Sequence, residues 1–229
     1  MKEVSLLFEE FVDNIDRTIG INEIQYINSN THIFTCDTKW ARKGKIVFLK
    51  IDVQSGFNVF IIDVIKNEKI VVSGIYQPMS VFLPLPFSIS GTKISTNNEW
   101  ISVSNDLMSK TPLIWLYQNY NETIYGDEAS LERTITMNIA FLDETNPKYQ
   151  KNQDHIDNVV SPMKELARIF IESINKSAIY KKLKQYNLKT YSRFGVETDT
   201  GVIQNILDAD LGGVVMNLTL DKFKEPCKC

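Results

Sequence analysis

Two histidines and three cysteines are the whole supply of imidazole and thiol in 229 residues. That excludes a His-rich metal centre, and an odd thiol count does not make the paired framework of a small secreted domain. A reducing compartment is the expectation. Ten glycines and seven prolines exclude collagen-like or low-complexity sequence. No G-x-G-x-x-G or G-x-x-x-x-G-K loop is present to cradle phosphates, and no G-x-S-x-G elbow to raise a serine nucleophile. Neither sign of charge dominates. With 25 basic and 28 acidic residues the balance is −3, so no overall field draws the chain to nucleic acid or anionic lipid.

Long apolar runs are missing too. The longest stretch, Tyr76 to Ile89, is broken by Pro78, Pro84 and Pro86 and falls short of the roughly 20 residues of a membrane span. Met1-Lys2-Glu3-Val4-Ser5 places an acid where a cleaved signal peptide is basic. A soluble chain, with no membrane partner and no signal cleavage, is expected.

Apolar material is plentiful nonetheless. Hydrophobic residues are 43% of the chain, enough for a core and too many for wholesale disorder. Val4, Leu7, Phe8, Phe11, Val12, Ile15 and Ile19 recur at helical spacing, which predicts an amphipathic helix ending near Gly20. From Ile21 the period becomes two. Strands are expected at Glu23–Ile27, His32–Asp37, Ile46–Val53, Asn58–Ile65 and Lys69–Tyr76. Short turns between them, among them Arg42-Lys43-Gly44, make this a meander of hairpins. Leu83-Pro84-Leu85-Pro86-Phe87 lacks two ladder donors and reads as an edge, an arm or a linker. Phe82, Leu83, Leu85 and Phe87 are its candidate interface residues, with packing inside the chain as the plainer alternative.

A polar patch, Thr92 to Glu99, precedes a buried strand at Pro112–Tyr117. A long strand follows at Leu131–Leu142, and Gln118 to Ser130 reads as the polar loop between the two. A second helix is expected to begin near Asp157 or Ser161-Pro162. Strands at Ile203–Leu207 and Val214–Leu220 close the chain, the latter entered through Gly212-Gly213. Helices near the ends of a largely antiparallel sheet define the α+β class.

Chemistry is sparse. Asp154-His155-Ile156-Asp157 offers an acid–base or metal cluster, though capping of the following helix explains it as well. Cys36 reads as a small core residue, and Cys227 and Cys229 as tail. Asp127-Glu128 and Asp143-Glu144 read as turn carboxylates. No cofactor is implied. One charge feature stands out: Lys176, Lys181, Lys182, Lys184, Lys189 and Arg193 occur without an acid between Glu172 and Glu197, interleaved with Tyr180, Tyr186, Tyr191 and Phe194. Basic residues among aromatics suit a nucleic-acid backbone with stacked bases, and a solvated face is the plain alternative.

Several phrases share a pattern: Lys110-Thr111-Pro112-Leu113-Ile114-Trp115-Leu116, Glu132-Arg133, Ala140-Phe141-Leu142-Asp143, Asp154-His155, Val160-Ser161-Pro162-Met163 and Leu211-Gly212-Gly213-Val214. Together with the first helix they resemble the tail-terminator and head–tail joining proteins of tailed phages, the crAss-like group among them. The resemblance covers residues 1–20 and roughly 95–225. It implies a terminator-like α+β domain over 1–20 and 95–229, with residues 21–94 an inserted β-meander carrying the Pro-rich arm. It further implies a virion structural protein of the neck or tail, made in the host cytoplasm and without catalytic residues. Its partners would be itself in a closed six- or twelve-fold ring, portal or neighbouring ring and tail proteins, and DNA in the channel. Lys181, Lys182, Lys184, Lys189 and Arg193 would then form a basic channel or partner surface. A non-catalytic DNA-binding protein and, more remotely, an enzyme built on His155 are the other classes.

Overall fold

The computed structural model describes residues 3–103, 106–126, 132–146, 151–177, 179–197 and 203–221. The chain opens with α1 (Val4–Asp13), β1 (Thr18–Ile19), β2 (Glu23–Ile27), β3 (Asn30–Phe34), β4 (Ile46–Lys50), β5 (Gly56–Ile65), β6 (Lys69–Ser73) and β7 (Ser80–Phe82). It continues through β8 (Phe87–Gly91), α2 (Lys93–Val103), α3 (Leu107–Lys110), β9 (Leu113–Tyr117), β10 (Asn121–Tyr125) and β11 (Glu132–Glu144). The last part holds α4 (Asn152–His155), a π-helical turn (Ile156–Val160), α5 (Ser161–Lys176), β12 (Asn187–Tyr191), β13 (Gly195–Glu197), β14 (Ile203–Asn205) and β15 (Leu211–Asp221). The fold is α+β and mostly sheet.

Helix α1 buries Val4, Leu7, Phe8, Phe11 and Val12, and it stops earlier than the apolar stripe predicts. Asn14 ends it: its backbone N–H and its side-chain Nδ2 both donate to the Glu10 carbonyl, at 3.2 and 2.8 Å. Ile15 and Ile19 stay buried beyond it, so the apolar spacing outlasts the helix. Thr18 and Ile19 instead pair with Phe82 and Val81.

Residues 18–82 form one seven-stranded antiparallel sheet in the order β1-β7-β4-β5-β6-β3-β2. The expected strands are all there, but the simple meander is not. β3 pairs with β6 rather than with β4, because the chain leaves the sheet at Thr35 and returns only at Ile46. Within that excursion Thr38 through Arg42 and Lys45 are buried. Cys36 lies on the bend that starts it and is exposed, a correction to its reading as a core residue: the strand has already ended at Phe34.

The second sheet runs β12-β15-β11-β9-β8, with β10 also on β11. Asn121–Tyr125 is therefore a strand, not part of a loop. The patch from Thr92 is the helix α2, which buries only Thr96 and Trp100; so little apolar surface faces inward that no stripe marks it in the sequence. α2 and α3 carry the chain between the parallel partners β8 and β9. The long final helix begins at Asn152 and reaches Lys176 through the π turn, a little ahead of the Asp157 start expected.

Alternation in β9 and β11 divides the interior. Ile114, Leu116, Ile139 and Phe141 join the larger core with α1, α5 and the inner face of the first sheet. Leu113, Trp115, Ala140 and Leu142 face the smaller core around Trp100, Phe194 and Leu207. At the centre of the larger core Phe170 of α5 meets Phe8, Phe11 and Phe141 at ring separations of 6.0, 6.3 and 5.5 Å. Ser173 Oγ donates to the Phe11 carbonyl at 2.8 Å and ties α5 to α1. A fully buried side chain of this size contributes roughly 1.5–3 kcal/mol.

Candidate functional site

The Leu-Pro-Leu-Pro stretch is a strap between the two sheets. Leu83 N–H donates to the Arg17 carbonyl at 3.0 Å, and Phe87 N–H donates to the Pro112 carbonyl at 2.9 Å. Of the edge, arm and linker readings, the linker is the one found. Leu83 is 2% exposed and belongs to the chain's own core. Phe87 packs against Trp100 with ring centroids 6.3 Å apart. Leu85, at 44% exposure, and half-buried Phe82 keep surface for a partner.

Phe82 belongs to a larger feature. On β7, β4 and β5 it lies opposite Phe48, which in turn lies opposite Asn58; Phe60 is two residues further along β5 and faces Ile46. Period-two geometry places Phe82, Phe48 and Phe60 on the outer face, since Val47, Leu49, Val59, Ile61 and Val81 point into the core. Phe48 and Phe60 are 37% and 55% exposed, and Phe48 meets Phe82 at 6.5 Å. Arg17 and Lys50 flank the groove beside this pair. Elsewhere α2 exposes Ile94 and Ile101, seven residues apart and so on one helical stripe.

The basic segment divides by residue type. Lys181, Lys182, Lys184 and Lys189 are exposed, whereas Arg193 is held by Asp210 at 2.9 Å and by Asn205 at 3.1 Å. Tyr180 and Phe194 are core residues, Tyr186 packs half-buried against the larger core, and Tyr191 packs edge-on to Phe194. Two of the four interleaved aromatics, Tyr180 and Phe194, therefore belong to the interior, while Tyr186 and Tyr191 keep part of their surface.

His155 is half-buried, and its Nδ1 meets Thr145 Oγ1 at 3.1 Å. Burial pushes its pKa below the usual 6.5. Asp154 and Asp157 are exposed, with Asp157 accepting from Gln153. No group of three or more metal-ligating side chains exists among the described residues. Asp127, Glu128, Cys227 and Cys229 lie outside them.

The site that sequence reasoning missed sits where the excursion after β3 meets the end of β11. Asp143 is no turn carboxylate; it is a strand residue, 1% exposed. Arg42 Nη2 donates to its Oδ1 at 2.7 Å, while Arg42 Nε lies 2.6 Å from Oδ2. Lys45 Nζ is 3.1 Å from Oδ1 and also donates to Thr111 Oγ1. All three charged side chains are nearly buried, and they line a cavity of about 240 Å³ between the sheets. Desolvation is the largest influence on Lys45 and, with the neighbouring Arg42 charge, holds its pKa below the usual 10.5 in spite of Asp143. The sequence showed only a turn signal at Arg42-Lys43-Gly44 and an acid at a strand end. Their convergence depends on the β3–β6 pairing, which no local pattern announces.

Comparison with known proteins finds no match, whether to a family model, a curated protein or a solved structure.

Proposed function

We propose that this chain is a virion structural protein that closes into a ring at the neck or tail of a tailed phage, joining portal or neighbouring ring proteins to the tail around the DNA channel. The observation that carries the proposal is the outer face of the first sheet. Three adjacent strands present Phe82, Phe48 and Phe60 outward, where a sheet facing water is ordinarily polar.

A ring needs two different patches that complement each other, since its interface is heterologous. The aromatic sheet face is one, and the Ile94–Ile101 stripe of α2 supplies a second of similar character. β2 is an edge strand with Tyr26 and Ile27 exposed, available for strand addition to a neighbour. The exposed lysines between 181 and 189 would then face the channel or an acidic partner. The phage assignment itself rests on the resemblance of the sequence phrases to tail-terminator and head–tail joining proteins.

Negative-stain images and mass photometry of the purified chain test it. Closed rings are expected for the wild type, and subunits of unchanged circular dichroism for the double substitution Phe48→Glu and Phe60→Glu. A wild-type chain that remains a single subunit at high concentration, with the double variant indistinguishable from it, overturns the proposal.

A further inference from the structure

The cavity beside Asp143 has a floor and a rim. Its floor is Trp40, Arg42, Lys45, Thr111 and Asp143, all buried, and its rim includes exposed Asn58, Leu85 and Ser109. The floor therefore opens toward solvent under the strap. Two cations share one carboxylate there, leaving one positive charge in excess. Asp106, in the cavity lining, and Glu144, whose charge favours protonated Lys45, are exposed acids nearby; they offset that charge from the rim, while the floor itself holds two cations and one carboxylate.

Donors are in surplus as well. A guanidinium carries five N–H groups and an ammonium three. Arg42 directs Nε and Nη2 at Asp143, and Lys45 directs Nζ at Asp143 and Thr111. Trp40, 3% exposed, lines the same cavity, and its indole N–H has no hydrogen-bond partner.

We infer that this cavity is a binding site for a small oxyanion, a carboxylate or phosphate, received by Arg42 and Lys45 with the Trp40 ring in the cavity lining. At about 240 Å³ it lies below the ~300–1,000 Å³ of pockets that take drug-sized ligands and cofactors. The ligand is correspondingly small. The inference stands on the cluster alone and does not depend on ring formation.

Fluorotryptophan labelling gives a direct test, because the chain has three tryptophans and so three ¹⁹F lines, at any assembly size. Phosphate and acetate are titrated separately at constant ionic strength. The Trp40 line is expected to shift saturably with at least one anion while the Trp100 and Trp115 lines stay in place. Lys45→Met, which keeps the Arg42–Asp143 pair and removes the excess charge, should weaken that binding about tenfold or more, as loss of a charge-assisted hydrogen bond does. Arg42→Gln should weaken it as well. A Trp40 line that never saturates with either anion, or that responds equally in Lys45→Met, overturns the inference.

Discussion

Asp143 and Lys45 share one ion cluster, yet they should respond to substitution with opposite sign. Among the described residues, Asp143 is the only anion touching both Arg42 and Lys45. Asp143→Asn leaves two buried cations facing each other, and removing one partner of a buried ion pair costs ~3–5 kcal/mol. Lys45→Met removes the surplus cation, on which burial and the Arg42 charge together outweigh its pairing. Its stability should be unchanged or higher, on the order of 1 kcal/mol. Urea midpoints of the two variants at neutral pH check the contrast. The pH dependence follows from the same cause. Because folding lowers the Lys45 pKa below its usual 10.5, the unfolded chain holds more protons between the folded value and 10.5. Wild-type stability therefore rises with pH across that window, and its gap to Lys45→Met narrows. A gap that widens there would reverse the assignment of desolvation as the leading cause.

The strap from Leu83 to Phe87 separates two readings that its sequence leaves open. Four large apolar residues punctuated by prolines fit an arm docked on a neighbour and also fit a crossing between sheets. The structure divides them residue by residue: Leu83 fills the larger core, while Leu85 stands at the surface. Leu83→Ala should cost ~2–5 kcal/mol, the range for emptying a well-packed core position. Leu85→Ala should stay within ~0.5 kcal/mol, as surface substitutions do. Thermal denaturation of the two variants decides it, and equal losses would mean that the strap does not sit as described. Legibility in the sequence follows the same logic. Strands such as β5 and β15 were readable because alternating burial writes a period of two into them. α2 was not, since it buries only Thr96 and Trp100, and β10 was not, since all five of its residues are exposed. The charged cavity was hidden because Arg42 and Asp143 are 101 positions apart and meet through pairings that no local spacing encodes.

Taken as one body, the molecule limits how it can meet nucleic acid. No helix among the described residues is long and apolar enough to cross a membrane, and the net charge of −3 leaves only local fields. Lys181, Lys182, Lys184 and Lys189 form such a field, but two of the four aromatics interleaved with them, Tyr180 and Phe194, are packed inward. Contact with DNA is then expected to be mainly electrostatic, through phosphates, whether the segment faces a channel or free solvent. Such binding weakens linearly in log–log form with salt, with a slope of about −0.9 per phosphate neutralised on duplex DNA. Replacing Lys181, Lys182 and Lys184 together with Gln should reduce the magnitude of that slope by about 3 and leave sequence preference flat. Fluorescence anisotropy on duplex and single-stranded oligonucleotides across a salt series measures both. A marked preference for single strands that survives the triple substitution would instead require bases to stack on this surface, on Tyr186 and Tyr191, which keep part of theirs.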